Sequence, residues 1–250
     1  MTEDEAFIRA ILAHTGDDTP RLVYADWLED HSDPRAAYLR AEAGWAKPWR
    51  TGERPADSPE LRQMTAGLDP VWMARVSRPP LGVCCDHFQW SERWPNADDS
   101  EVQAVERETG VTLPPDFRGF LLNNNGAHLL PSPLGGWSSV PVDYDDHGWC
   151  FHPIRTIQDI LTSGWPQRGV AEASPEAVDW LGRLLAIGQG FEVIDHLMLG
   201  LAGREYGMIC VIDSQVTLDT NYEWYLSGYK PHTSTFADFL SLLPHGFPFR

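Results

Sequence analysis

The stretch of residues 98–126 constrains the fold of this chain most, because it carries the start and stop signals of two consecutive helices. Ser100 and Gln103 have the spacing of a capping box at the start of the first helix. Gly110 is expected to end that helix, because glycine adopts a positive φ without strain. Tandem prolines begin the second helix, and an Asn-Asn-Asn-Gly run ends it. Two short helices joined by a tight apolar turn are therefore predicted.

The chain after this pair changes from helical to strand-type patterning. One helix is predicted from Ile154 to Leu161, and another begins at Ser174 and carries Leu185. Strands are predicted around 198–201 and 206–212, with a hairpin turn between them. Thr235 is expected to cap a final helix. Helices followed by adjacent strands and a closing helix predict an α+β fold.

These elements resemble the SUKH superfamily, which includes bacterial immunity proteins of toxin systems and fungal cell-wall-assembly regulators. The residues that carry the resemblance are Val102, Val105, Glu106, Gly110, Leu113, Pro114, Phe117, Phe120, Leu121, Asn125 and Gly126. The short strand Ala186–Gly188, the central strand Tyr206–Ile209 and the last helix Thr235–Leu243 also resemble the family. The resemblance implies a SUKH-like domain over 98–250, with a curved antiparallel sheet and helices packed on one side of it.

The chain before this domain is predicted to be mainly helical, although residues 44–57 are rich in proline, glycine and charge and the pattern of residues 81–97 is ambiguous. Residues 1–42 resemble a small helical family called the repeat-companion domain. The resembling residues are Glu3, Phe7, Ile11, Pro20, Leu22, Tyr24, Ala25, Asp26, Trp27, Leu28, Asp33, Pro34 and Arg35. About forty residues bury too little surface to be stable alone. This module is therefore expected to pack on the residues that follow, and 43–97 are predicted to form a helical connector.

The charge of the chain limits its partners. The formal net charge is −17, and residues 98–250 hold 20 acidic and 8 basic residues. Such a surface repels nucleic acid, so direct nucleic-acid binding is not expected. It suits a basic protein partner, because complementary fields speed association. Simple solubility explains the charge equally well.

The sequence also limits where the protein is expected to act. No apolar run approaches the length of a membrane span, and the acidic amino terminus lacks the features of a signal peptide. A cytoplasmic protein without membrane contact is therefore predicted.

No familiar catalytic motif is present in the sequence. It contains no G-x-S-x-G nucleophile motif, no H-E-x-x-H zinc motif and no phosphate-binding glycine loop. We therefore expect neither an enzyme nor a bound cofactor. A ligand-binding or catalytic pocket lined by Trp137, Tyr144 and Trp149 is the alternative.

Two groups of residues could in principle bind a metal ion. Cys84, Cys85 and His87 with Cys150 and His152 could surround zinc if the two segments met, although neither spacing matches a known zinc pattern. Buried free thiols explain the cysteines more simply.

A second group, formed by Asp143, Asp145, Asp146 and His147, could hold calcium. It lacks the glycine and the distal glutamate of an EF-hand. A solvated acidic loop and a partner-binding face are the other interpretations, and no metal is predicted.

The resemblance implies a non-catalytic immunity-type protein that binds a toxin and covers its active surface. The toxin would be basic, for example a nuclease. The candidate contact residues are Asp143, Asp145, Asp146, Asp219, Glu223 and Trp224. A regulatory or scaffolding protein, as among the fungal members, is the alternative function.

Overall fold

The computed structural model describes residues 2–48, 55–84, 90–129, 150–164, 175–189, 195–213 and 233–242. The amino-terminal helices are α1 (Glu3–Ala13), α2 (Thr19–Asp30), α3 (Arg35–Trp45), α4 (Pro59–Met64) and α5 (Pro70–Val76). The later helices are α6 (Asp99–Thr109), α7 (Pro115–Asn123), α8 (Ile154–Ser163), α9 (Pro175–Gly182) and α10 (Phe236–Leu242). The strands are β1 (Trp90–Arg93), β2 (Ala127–Leu129), β3 (Cys150–Phe151), β4 (Leu184–Gln189), β5 (Asp195–Gly200) and β6 (Ile209–Asp213).

The six strands form one sheet in the order of the sequence, and every neighbouring pair is antiparallel. The predicted α+β fold, an antiparallel sheet with helices packed on it after a helical module, is confirmed. Strands β1 and β2 were not predicted, because they are short and lack an alternating apolar pattern. Their pairing with neighbouring strands determines their conformation.

Two predicted element boundaries were wrong. Leu185 lies in β4, where it pairs with Leu199, and not in the preceding helix. Tyr206 lies outside β6, which begins at Ile209 after a turn in which Gly207 has a φ of +81°. In both places the pairing between strands sets the boundary of the element. Residue propensity alone would extend the helix through Leu185 and the strand back to Tyr206.

The predicted α6–α7 pair is present, but its capping box lies two residues earlier than expected. The Asp98 carboxylate accepts the Glu101 backbone N–H, and the Glu101 carboxylate accepts the Asp98 N–H. Ser100 instead donates its hydroxyl to Asp98, and the Gln103 amide donates to Asp99. Both pairs have the required spacing, and the charged carboxylate is the stronger acceptor at a helix start.

The polar run after α7 has the structural role that the sequence indicated. Asn125 has a φ of +45° and Gly126 a φ of +83°. The Asn125 amide donates to the Pro95 carbonyl at 2.6 Å and accepts the Ile154 backbone N–H at 2.8 Å. A Cβ on Gly126 would lie 2.6 Å from the Pro153 nitrogen. The run therefore joins the end of α7 to the start of α8.

The main core lies between one face of the sheet and helices α6, α7, α8 and α10. Its centre is a cluster of phenylalanine rings. Phe236 of α10 contacts Phe117, Phe120 and Phe151 with ring centroids 5.2, 5.0 and 5.6 Å apart. Such edge-on packing of aromatic rings adds stability beyond the buried area.

A smaller core covers the other face of the sheet, under α9. It consists of Trp180, Leu181, Leu184, Ala186, Met198 and Cys210. Helices therefore lie on both faces of the sheet, with the larger set on the phenylalanine side. The expectation of helices on one side was wrong, because Leu184, Ala186 and Met198 make the second face apolar and α9 covers it.

The amino-terminal helices share a separate core that runs from Ile8 to Cys84. Leu61, Trp72 and Val76, which the sequence placed in the connector, belong to it. The boundaries at 42 and 97 remain predictions.

A buried ionic cluster links the helices of this core. The Glu42 carboxylate, fully buried, lies 3.7 Å from Arg21 and 3.6 Å from Arg78. Its second oxygen accepts the Arg78 backbone N–H at 2.9 Å. The Arg21 guanidinium also donates to the Val76 carbonyl and to the Cys84 sulfur. Arg78 also pairs with Asp18 at 2.8 Å. Because the buried Glu42 carboxylate lies beside both guanidinium groups, the cluster makes α2, α3 and the end of α5 interdependent.

Helix α5 packs directly on α7 and so joins the helical core to the sheet. A Cβ on Gly119 of α7 would lie 3.1 Å from the Ala74 Cβ of α5. Arg75 donates to the Asn123 side chain at 2.9 Å, and Asn123 donates back to the Arg75 carbonyl at 3.0 Å. The same guanidinium pairs with Glu5 of α1 at 2.9 Å. The small residue at 119 permits this close approach.

Replacing Glu42 with Gln is expected to lower the free energy of unfolding by about 3–5 kcal/mol, because the buried Arg21 loses its carboxylate partner while Arg78 retains Asp18. Glu29→Gln is the matched control, since this exposed carboxylate pairs with the partly exposed Arg40 and its loss should cost under about 1 kcal/mol. Urea unfolding measures both. Equal effects of the two substitutions would contradict the role of the cluster.

Gly119→Leu is expected to destabilise the protein by about 1–3 kcal/mol, because the new side chain meets α5. Gly44→Leu is the control, since Gly44 lies in α3 and a Cβ added there would have no atom within 4 Å. That change should stabilise the helix by up to about 1 kcal/mol. Thermal unfolding of both variants gives the comparison, and a stable Gly119→Leu protein would contradict the tight α5–α7 contact.

Candidate functional site

The strand register places several chain connections at one end of the sheet. Cys150 at the start of β3 pairs with Gln189 at the end of β4, and Gln189 pairs with His196 near the start of β5. Asp195, which begins β5, pairs with Asp213, which ends β6. Strands β2, β4 and β6 therefore end where β3 and β5 begin. We call this the loop end of the sheet.

Residues 130–149 and 190–194 connect strands at the loop end. Residues 214–232 leave β6 at this end and lead to Thr233, which pairs with Ile209 at the opposite end of β6. The acidic residues of these three stretches are Asp143, Asp145, Asp146, Glu192, Asp219 and Glu223, against the single base Lys230. Their aromatic residues are Trp137, Tyr144, Trp149, Phe191, Tyr222, Trp224, Tyr225 and Tyr229. Acidic residues combined with large aromatic ones are the composition of a surface that binds a basic protein.

The six predicted contact residues belong to the first and third of these stretches, and all of them lie outside the described residues. The same holds for the alternative pocket of Trp137, Tyr144 and Trp149, and for the candidate calcium ligands Asp143 to His147. Their roles remain predictions.

The candidate zinc ligands are distributed over different parts of the molecule. Cys84 is buried in the amino-terminal helical core, where its sulfur accepts a hydrogen bond from Arg21 at 2.9 Å. Burial raises the pKa of this thiol, and so favours its uncharged form. Cys150 lies in β3, followed by His152, while Cys85 and His87 lie outside the described residues. Within the described ranges, no three His, Cys, Asp or Glu side chains are grouped as metal ligands.

Two histidines near the loop end were not singled out as a pair by the sequence. His152 is 8% exposed, and its backbone N–H donates to the Ile187 carbonyl at 2.8 Å. Burial, with a smaller contribution from the nearby His196, lowers the pKa of His152 to about 4. Burial also lowers the pKa of His196. Both rings are thus uncharged at neutral pH and add no positive charge near the loop end.

The only signal for this pair in the sequence is the alternation of polar and apolar residues in β5, which puts His196 and Met198 on the same face. Strand β3 is too short for its pattern to place His152. The proximity of the two histidines depends on the pairing of β3 with β4 and of β4 with β5.

Asp116 is a half-buried carboxyl group that resembles a catalytic one, because desolvation raises its pKa. Its oxygens accept the backbone N–H groups of Phe117 at 2.9 Å and Ala237 at 2.8 Å. One carboxylate therefore accepts N–H groups from the first turns of α7 and α10. This arrangement gives Asp116 a structural role.

The described helices do not have the properties of membrane spans. None of them combines the length and the apolar character needed to cross a bilayer.

Acidification is expected to destabilise the protein, because the unfolded chain binds a proton on His152 at a higher pH than the folded chain does. Its pKa falls from 6.5 to about 4 on folding, so stability is full above pH 6.5 and decreases by roughly 3 kcal/mol as pH falls through this range. His152→Gln should flatten the dependence of the unfolding free energy on pH. His14→Gln, at an exposed position, should keep the wild-type slope, and equal slopes in both variants would contradict the assignment.

The comparisons with known proteins agree with the fold. A search of curated proteins finds no match. The family model described as SMI1 / KNR4 family (SUKH-1) matches residues 96–242. This range holds helices α6 to α10 and strands β2 to β6, and it covers more than half of the chain. The resemblance of residues 1–42 to the repeat-companion domain stays a prediction. The chain belongs to the SMI1/KNR4 (SUKH-1) family.

Proposed function

We propose that this protein is a non-catalytic, immunity-type binding protein that sequesters a basic protein toxin, for example a nuclease, in the cytoplasm. Membership of the SMI1/KNR4 (SUKH-1) family supports a protein-binding role. The net charge of −17 supports a basic partner.

The observation that carries the proposal is the common attachment of three acidic, aromatic-rich stretches to the loop end of the sheet. The connection between β2 and β3 contains Asp143, Asp145 and Asp146. The chain after β6 contains Asp219, Glu223 and Trp224. Both stretches leave the sheet at the same end, which supports contact with a single partner.

The proposed mechanism combines electrostatic attraction with steric cover. The carboxylates attract the basic surface of the toxin and speed the encounter, an effect that salt weakens. Trp224 acts as an anchor, because a tryptophan buried at the centre of an interface contributes much of its binding energy. The bound protein then covers the active surface of the toxin.

A regulatory or scaffolding role is the second candidate. The observation that favours it is the separate core of the amino-terminal helices, which packs on α7 through α5 and presents its own outer surface. In that function the helical module would recruit one protein while the family domain binds another.

The first experiment separates these candidates. Each protein encoded beside this gene is expressed alone and together with this chain, and growth and complex formation are scored. A neighbour that is toxic alone and harmless in the complex supports the immunity function. If no neighbour is toxic or bound, the regulatory function is favoured.

With a partner in hand, the triple substitution Asp143→Asn, Asp145→Asn, Asp146→Asn is expected to slow association about tenfold and to flatten its salt dependence. The control Glu60→Gln, Glu108→Gln, Asp159→Asn removes three exposed charges elsewhere. Trp224→Ala should mainly speed dissociation. Surface plasmon resonance at several salt concentrations measures the association and dissociation rates. If the first triple variant leaves the association rate unchanged, Asp143, Asp145 and Asp146 do not belong to the proposed binding surface.

A further inference from the structure

The outward face of α2 carries features that the fold does not use. Leu22 is 39% exposed and Val23 is 50% exposed. They are adjacent, and they begin a surface that continues with the exposed carboxylates Asp26, Glu29 and Asp30 on the following turns. We call these five residues the α2 face.

The opposite side of α2 provides the contacts of this helix with the helical core. Arg21, Tyr24 and Leu28 are fully buried there. The Tyr24 hydroxyl donates to Asp4 of α1 at 2.7 Å and accepts from the Trp72 indole at 3.2 Å. Since the fold is completed on this side, the exposed apolar pair on the other side has no packing role in the described structure.

An aromatic border adds to the apolar character of the α2 face. Trp27, half-buried, lies one turn after Val23 and beside it on the helix. Its ring contacts Phe7 with centroids 5.4 Å apart and His31 with centroids 4.2 Å apart. A half-exposed tryptophan held by neighbouring rings offers a rigid apolar contact, and its face attracts a cation.

The carboxylates of the α2 face are held in position by α3. Arg40 pairs with Asp26 at 2.6 Å and with Glu29 at 2.5 Å. The α2 face thus has three carboxylates for this one guanidinium, and residues 2–48 as a whole contain ten acidic and five basic residues. The surface therefore keeps an excess of negative charge beside its apolar pair.

We propose that the α2 face is a docking surface for a basic, amphipathic helical segment of a partner protein. The apolar side chains of that segment contact Leu22, Val23 and Trp27, and its lysines or arginines pair with Asp26 and Asp30. A second copy of this chain would bring a net charge of −17 towards the same acidic surface, and like charges repel. The surface lies on the helical module, and the proposal does not depend on the function assigned to the loop end.

The test uses the full-length protein and synthetic peptides of about 14 residues, long enough for roughly four helical turns. One peptide has lysines on one face and leucines on the other. The second keeps the lysines and replaces every leucine with serine. Fluorescence anisotropy of labelled peptides at two salt concentrations measures the affinities.

The Lys/Leu peptide is expected to bind at least about tenfold more tightly than the Lys/Ser peptide. The double variant Leu22→Ser, Val23→Ser should weaken its binding about tenfold. Asp26→Asn, Asp30→Asn should weaken it by a similar factor and reduce its salt dependence. The control Glu108→Gln, Asp159→Asn removes the same charge from α6 and α8 and should change the affinity less than about twofold.

Backbone hydrogen exchange of the unmodified protein gives a second measurement that requires no variant. The Lys/Leu peptide is expected to protect α2 and to leave α6 unchanged. The proposal is overturned if the two peptides bind equally, if the α2 variants bind like the control, or if protection appears elsewhere. It is also overturned if sedimentation shows a dimer that Leu22→Ser, Val23→Ser dissociates, since a second copy then occupies the surface.

Discussion

The packing of α7 between two layers is the constraint on which the rest of the molecule depends. Phe117, Phe120 and Leu121 point into the phenylalanine core, while Gly119 meets α5 on the other side. A larger residue at 119 would separate the helical module from the sheet domain, because protein interiors have little free volume. The side of α7 that carries Gly119 is covered by α5 and therefore cannot contact a partner protein.

This packing also orients the two surfaces that carry our functional proposals. The carboxyl end of α7 leads into the start of β2, and β2 runs from there towards the loop end. The loop end is thus at the far end of the strand from the α5 contact. The α2 face belongs to the helical module, whose inner side is used for packing. Leu22 and Val23 of the α2 face are exposed in the folded molecule.

Several buried or half-buried polar groups that resemble functional ones stabilise the fold instead. Asp116 accepts N–H groups from the first turns of two helices, Asn125 joins α7 to α8, and Glu42 pairs with two guanidinium groups. Each satisfies backbone or charged groups that would otherwise be buried without partners. A carboxylate or amide in a buried position is therefore weak evidence for catalysis in this family member, and the proposed function rests on surfaces.

Local signals in the sequence were sufficient where a residue acts on its own segment. Gly110 ends α6 with a φ of +72°, and Thr235 caps α10, as predicted. The local signals failed where two residue pairs had the spacing of a capping box, as those beginning at Asp98 and Ser100 do. Only the relative strength of the two hydrogen-bond acceptors decides which pair caps the helix. The local signals also failed for β1, whose short polar sequence Trp-Ser-Glu-Arg has no strand pattern.

The sequence by itself therefore determined the helices, some of their caps, the α+β class and the acidic character of the chain. These properties depend on backbone preferences and charges that act within a few residues. Only the tertiary structure decided that Arg21, Glu42 and Arg78 share one buried cluster, that His152 lies near His196, and that three acidic stretches leave one end of the sheet. Each of these depends on strand register or helix packing between residues far apart in the chain, which no local pattern encodes.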